Sequence, residues 1–139
     1  MAKGILGTYN LVSGINQAVY VNNYTDIATV SVNICNRNHT QGEVSIAVGT
    51  SATSPSNIDF IEYESLLDGK SVLERTGIVV TPGHYVVVKS SLSNTNAVVW
   101  GAELGTQIVS PVSITTNTSG EGPEFVGPTT IEIFAGDPS

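Results

Sequence analysis

The chain is short of charge, and shortest of positive charge. Five of its 139 residues are Lys or Arg against 12 Asp or Glu, and no base follows Lys89. A protein that grips duplex nucleic acid needs a basic footprint to displace counterions from phosphates. With a net charge of −7 and no basic cluster, this chain is not expected to bind nucleic acid. Nor does it have a polybasic segment for an anionic membrane surface. No apolar run approaches the ~20 residues of a membrane-spanning helix. Its one cysteine, Cys35, has no partner for an internal disulfide. The opening "MAKGILGTYNL" lacks the long apolar core of a secretion signal, so synthesis in the cytoplasm is the expectation. In that setting the sequons at Asn23, Asn38 and Asn117 are chance products of an Asn/Ser/Thr-rich chain.

The missing charge has a second consequence. Only 12% of the residues are charged, about half the usual share. Such a surface is poorly defended against association, which points to an outside partly covered by other subunits. The charge is also uneven. Residues 1–102 hold seven acids and five bases, whereas residues 103–139 hold five acids and no base.

Gly, Ser, Thr, Asn and Val fill the space that charge leaves, and these are strand and turn residues. In "ATVSVNICN", Ala28, Val30, Val32 and Ile34 alternate with Thr29, Ser31, Asn33 and Cys35. A period of two means one buried and one polar face. "EVSIAVG" aligns Val44, Ile46 and Val48, and "HYVVVKS" aligns Val86 and Val88. "NAVVWGAE" is read with Val98, Trp100 and Ala102 together on the core side. "KGILGTYNL" and "NQAVYVN" are two opening strands, and "IDFIEYE" is a strand with Phe60 inward. The nearest approach to a helical period is "FIEYESLLDG".

Turn chemistry separates these runs at intervals of about 8–12 residues, as in a sandwich or barrel. Asp68-Gly69 is a two-residue hairpin signal. Pro82-Gly83 suits a type II turn joining strands 72–80 and 84–91 as a hairpin. Glu74 and Arg75 then form a solvated pair at the start of a strand, or a device that discourages edge pairing.

The search for chemistry finds little. His39 and His84 stand 45 residues apart, no G-x-S-x-G elbow occurs, and no His/Cys set has metal-ligand spacing. Asp59, Glu62 and Glu64 lack the order of a calcium loop. Glu62 and Glu64, at i and i+2, share one strand face in this reading and resemble a glycosidase pair in spacing alone. Tyr20, Tyr24, Tyr63, Tyr85 and Trp100 could make a stacking face, but the alternation puts Trp100 in the core. No Gly-rich phosphate loop is present. No catalytic residue, cofactor or metal ligand is assigned.

After Glu103 the character changes. The tail holds four of the six prolines and two strand-like pieces, Val112–Thr116 and Thr130–Phe134, around "NTSGEGPEFVGP". Two placements stay open: an arm that adds a strand to a neighbouring subunit, or a last strand on the chain's own sheet. Its candidate assembly contacts are Ile108, Val109, Val112, Ile114, Phe125, Val126, Ile131, Ile133 and Phe134.

The series Cys35-Asn36-Arg37, Ala47-Val48-Gly49, Phe60-Ile61-Glu62-Tyr63, Leu73 to Ile78 and Gly101 to Glu103 resembles a small β-sandwich domain recurring in virion proteins of tailed bacteriophages. The resemblance covers residues 3–103 and leaves the tail outside. It implies a non-enzymatic virion component, on the capsid surface as a decoration or cement protein or associated with the tail and its fibres. The expected architecture is an all-β, antiparallel β-sandwich of about eight strands, jelly-roll or Ig-like. Residues 1–103 form the sandwich and 104–139 an extended arm. The expected core is Val30, Val32, Ile34, Val44, Ile46, Val48, Val86, Val88, Val98 and Trp100. The expected partners are further copies in a homo-oligomer, a trimer for example, and other virion proteins; the expected location is the virion. Two rival readings are a host-receptor module that binds glycan through loops 36–42 and 49–57, and a small envelope hydrolase.

Overall fold

Ala28, Val30, Val32 and Ile34 are completely buried, while the residues between them face outward. That single alternation sets the plan of the molecule, two sheets packed face to face. The computed structural model describes residues 3–114. Eight strands follow in order: β1 Lys3–Leu11, β2 Gln17–Val21, β3 Ala28–Asn36, β4 Gly42–Gly49, β5 Phe60–Leu67, β6 Val72–Val80, β7 Tyr85–Ser90 and β8 Thr95–Glu103. One sheet, here sheet A, has the order β1-β8-β3-β6, and the other, sheet B, β2-β7-β4-β5. All pairings are antiparallel. β1 lies by β8, β2 by β7, β3 by β6 and β4 by β5. This is one long hairpin wrapped on itself, the jelly-roll member of the two expected sandwich types.

The core is almost entirely aliphatic. Val30, Val32 and Ile34 from sheet A meet Val44, Ile46, Val86 and Val88 from sheet B, with Ala97 and Val99 beside them. β-branched side chains are stiff and suit a pleated surface. Removing one, as in Ile46→Ala, typically costs about 2–5 kcal/mol. Val48 packs on the margin of this cluster.

Sequence reading fails at β8. Ala97 and Val99 point into the core, whereas Val98 and Trp100 lie half-buried on the outer face. "AVVW" offers apolar residues in both phases, so alternation alone cannot choose. Pairing with β3 chooses: Val99 sits opposite Val32 and Ala97 opposite Ile34. Gly101 fits the same register, with φ +155°. A Cβ there would lie 2.1 Å from the Thr29 carbonyl oxygen, so only glycine allows β3 and β8 to approach.

Both hairpins expected from turn residues are also corrected. Thr81–His84 is the expected type II turn, with Gly83 at φ +81° and the His84 amide donating to the Thr81 carbonyl at 3.0 Å. Yet β6 belongs to sheet A and β7 to sheet B, so the turn carries the chain across the core. Asp68–Ser71 likewise joins β5 in sheet B to β6 in sheet A. There the left-handed residue is Lys70, at φ +60°, and Gly69 is needed because the His39 carbonyl would stand 2.4 Å from a Cβ. Residues 60–67, the nearest helical candidate, are strand β5.

Two buried asparagines secure these crossings, one at each end of the sandwich. The Asn36 side-chain amide donates to the carbonyls of Thr40, Leu67 and Asp68 at 2.9, 3.1 and 3.2 Å. Its oxygen accepts from the Asn38 amide at 3.0 Å. At the other end, Asn22 donates to Asp26 and Val80 carbonyls at 2.9 and 2.8 Å and accepts from the Tyr24 amide at 2.9 Å. Each side chain satisfies backbone groups that the sheets leave unpaired.

Two polar pairs link the sheets directly. The Tyr20 hydroxyl of β2 donates to Glu103 Oε2 of β8 at 2.6 Å, both residues being buried. At the opposite margin Arg75 Nη1 of β6 meets Glu62 Oε2 of β5 at 2.7 Å. Arg75 therefore pairs across the sandwich rather than with its neighbour Glu74, which is exposed. Arg75 remains 42% exposed, so the pair contributes no more than about 1 kcal/mol.

Asn36→Ala is expected to lower unfolding stability by about 1–3 kcal/mol, because it strands buried carbonyls. Urea unfolding should show a lower midpoint at unchanged slope. Tyr20 gives an alkaline signature. Burial first, and donation to Glu103 second, push its phenol well above the ordinary value of about 10. The folded state holds the proton that the unfolded chain releases, so this contribution is complete below about pH 10 and falls as pH rises beyond it. Thermal melts between about pH 9 and 11 should show a steeper loss for the native chain than for Tyr20→Phe.

Candidate functional site

Three surfaces bear on function: a groove on sheet B, the outer face of sheet A and the segment after β8. The groove is built from the side of sheet B that faces away from the core. Glu43 and Ser45 of β4 and Lys89 of β7 form its floor, with Ser45 opposite Lys89 in register. The connection from β4 to β5 lies over this side, and Thr53, Ser54, Pro55 and Asn57 line the groove. The Asn16 side chain holds that connection by donating to the Thr53 carbonyl at 3.0 Å. Ser51 Oγ accepts from the Ser54 amide at 2.9 Å, and Asp59 from the Ser56 amide at 2.9 Å. The cavity measures about 460 Å³, within the range of small-molecule sites.

β5 supplies the other wall, and its geometry is not regular. Two register shifts against β4 fall between Phe60 and Ser65, and Glu64 has φ +48°. The Glu64 amide donates to Ser45 Oγ at 2.9 Å. These bulges put Phe60, Tyr63 and Glu64 on the groove side, while Glu62 turns to Arg75. The expectation that Glu62 and Glu64 share a face is thus wrong. A bulge inserts an extra residue and inverts the alternation. Phe60 inward is wrong for the same reason: it stands opposite Ala47, which points away from the core. Phe60 and Tyr63 contact edge to face, with ring centroids 4.9 Å apart and planes at 72°.

The five expected stacking aromatics do not form one face. Tyr20 is in the core, Tyr63 in the groove, and Trp100 on the outside of sheet A. His39 and His84 lie at opposite ends of the sandwich, beside the Gly69 and Asn22 turns respectively. Among the described residues, no group of three or more His, Cys, Asp or Glu could hold a metal ion. Of the two loops expected to meet a glycan, 49–57 lines the groove. Loop 36–42 lies away from the groove and spends two amides on its own fold, Asn38 donating to the Ser93 carbonyl and Gln41 to Asp68 Oδ1, both at 2.8 Å.

The outer face of sheet A is a different surface. Across its strands lie Ile5, Trp100 and Ser31 in one row and Thr8, Val98 and Asn33 in the next. Val72 and Val79 complete it on β6. Ile5, Val72 and Val79 are 67%, 53% and 56% exposed. Lys3 and Glu74 are the charged strand residues of this face.

The chain after Glu103 first follows its own sandwich. The Leu104 amide donates to the Ile27 carbonyl, Thr25 to Thr106, and Ile108 to Asn23, at 3.3, 2.9 and 2.8 Å. Gln107 bridges Tyr24. The Asn23 side chain then clamps Val112 through both backbone groups, at 2.8 and 2.9 Å. This use of Asn23, and that of Asn38, occupies the amides of two sequons. Of the expected assembly contacts, Val109 is fully exposed, Ile108 and Val112 are partly so, and Ile114 is half-buried. Val112 to Ile114 are not in a strand. Phe125, Val126, Ile131, Ile133 and Phe134 lie outside the described residues. No sequence signal marked Asn22, Asn23 or Asn36 as anchors, because a polar residue before a turn reads as solvated.

Residues 104–112 are thus held by bonds to the chain's own 22–27 segment. A chain ending at Glu103 should melt lower than one ending at Ile114, with faster amide exchange across residues 22–27, because those bonds are gone. No protein-family model matches the chain, and neither a curated protein nor a solved structure matches it at a significant level.

Proposed function

We propose that this chain is a non-enzymatic structural subunit of a bacteriophage virion. In this reading it decorates or cements the capsid, or associates with the tail and its fibres, and stabilises the particle through subunit contacts. The observation that carries the proposal is the outer face of sheet A. Ile5, Val72 and Val79 are more than half exposed there, beside Val98 and Trp100, with little charge around them. Charge depletion with an aromatic at the centre is the composition of an interface core. The partner is a second copy of the chain. Apolar faces meet with little like-charge opposition, because Glu74 is the one carboxylate among the described strand residues of this face.

The edges support contact through a face. Register shifts occur in the pairings of β1, β2, β5 and β6, which are the four edge strands. The central pairs β3–β8 and β4–β7 run without a shift. Bulged edges resist strand addition. The jelly roll itself serves both virion subunits and lectins, so the fold is an analogy and the surface carries the argument.

The full-length chain should associate in a concentration-dependent way in sedimentation equilibrium. Ile5→Lys with Val79→Lys, both at exposed positions, should leave the melting curve intact and give monomers that fail to join particles. A native chain that stays monomeric at all concentrations, or a double variant that incorporates normally, would sink the reading.

A further inference from the structure

The groove on sheet B has no part in the assembly reading, which uses the opposite sheet. We propose that this groove binds a neutral saccharide. Its lining selects the ligand by charge. Glu43 and Glu64 outnumber Lys89 by one charge, so the lining disfavours an anion. A neutral ligand escapes that penalty and can use all three groups as hydrogen-bond partners.

The hydrogen-bonding groups ask for a ligand that both donates and accepts at short spacing. Among the described residues, the side chains of Glu43, Glu64 and Lys89 enter no hydrogen bond or ion pair, and the one ion pair lies elsewhere, at Arg75 and Glu62. The two carboxylates accept, and the Lys89 ammonium donates. Ser45 Oγ already accepts from the Glu64 amide, which leaves its hydrogen free to donate. Vicinal hydroxyls supply both roles, and hydrogen bonds to charged groups are the stronger kind.

The aromatic wall supplies the remaining element. Tyr63 is 61% exposed, and Phe60 holds its ring edge to face. An oriented, wet ring offers a flat apolar surface with a negative face. The C–H side of a pyranose ring presents the complementary surface. The bulge at Glu64 is what places a carboxylate next to that ring, since a regular strand would send alternate side chains to opposite faces.

Saturation-transfer NMR on the full chain, with maltotriose, cellotriose and chitotriose as neutral probes, tests the proposal. Sialyllactose serves as the anionic control and a glucosamine trimer as the cationic one. At least one neutral probe should receive transfer and shift the amides of Ser45, Tyr63, Glu64 and Lys89. Tyr63→Ala should weaken that binding about tenfold, the scale of one aromatic contact, and leave the resonances of sheet A unchanged. Glu64→Gln gives a second, near-isosteric variant with the same expected direction. Absence of transfer to every neutral probe at millimolar concentration overturns the proposal. So does tighter binding of either charged control, or binding untouched by both variants. Particle incorporation should be unaffected by either variant, so the two proposals fail separately.

Discussion

The constraint on which the structure depends is that the chain changes sheets at nearly every connection. Only β4 and β5 are joined within one sheet; the other connections cross from one sheet to the other. Packed sheets stand about 10 Å apart, so each crossing lifts a short segment off both ladders and leaves backbone groups to be satisfied. Asn22 and Asn36 do this from buried positions. Each reaches residues far along the chain: Asn22 bonds Val80, and Asn36 bonds Leu67. The two residues therefore fix which segments meet at each end, and the aliphatic core fills the space between.

The same wrapping creates four edges, and the protein treats edges and centre differently. β3–β8 and β4–β7 pair in unbroken register, and there the side chains alternate cleanly. The shifts fall on the edge strands, where an extra residue bends the backbone and spoils the template for another strand. On β5 the bulges also serve the groove, by turning Tyr63 and Glu64 to one side while Glu62 ties the edge to β6. The same irregularity thus both breaks the edge and shapes the groove wall. The first residues of the C-terminal arm, 104–112, are already paired with the chain's own 22–27 segment.

How much of this was legible follows from how local each signal is. Strand existence was legible, because a period of two in "ATVSVNICN" depends on consecutive residues alone. The turn at Pro82-Gly83 was legible in its dihedral angles and illegible in its consequence. A type II turn has the same angles whether the chain returns along its own sheet or crosses to the other. The phase of β8 was ambiguous because Val98 and Val99 are both valine; the pairing with β3, which Gly101 permits, decides it. Glu64 was misplaced because nothing in its identity announces a positive φ. The groove could be seen only as a long Ser/Thr-rich loop next to a strand with two acids.

The two outer faces differ in how they are covered. On sheet A the positions between core residues are Ser31, Asn33, Asn96, Val98 and Trp100, uncharged and half-buried. On sheet B the corresponding positions, Ser45, Ala47 and Val87, are buried although they point away from the core. The β4–β5 connection lies over that face, and this follows from topology. In a jelly roll the β4–β5 bend is the tip of the long hairpin and has no further strand to enter, so ten residues from Thr50 to Asp59 can fold back over their own sheet. The roof covers one face and leaves the other uncovered, so the groove and the apolar face proposed for assembly lie on opposite sides of the sandwich.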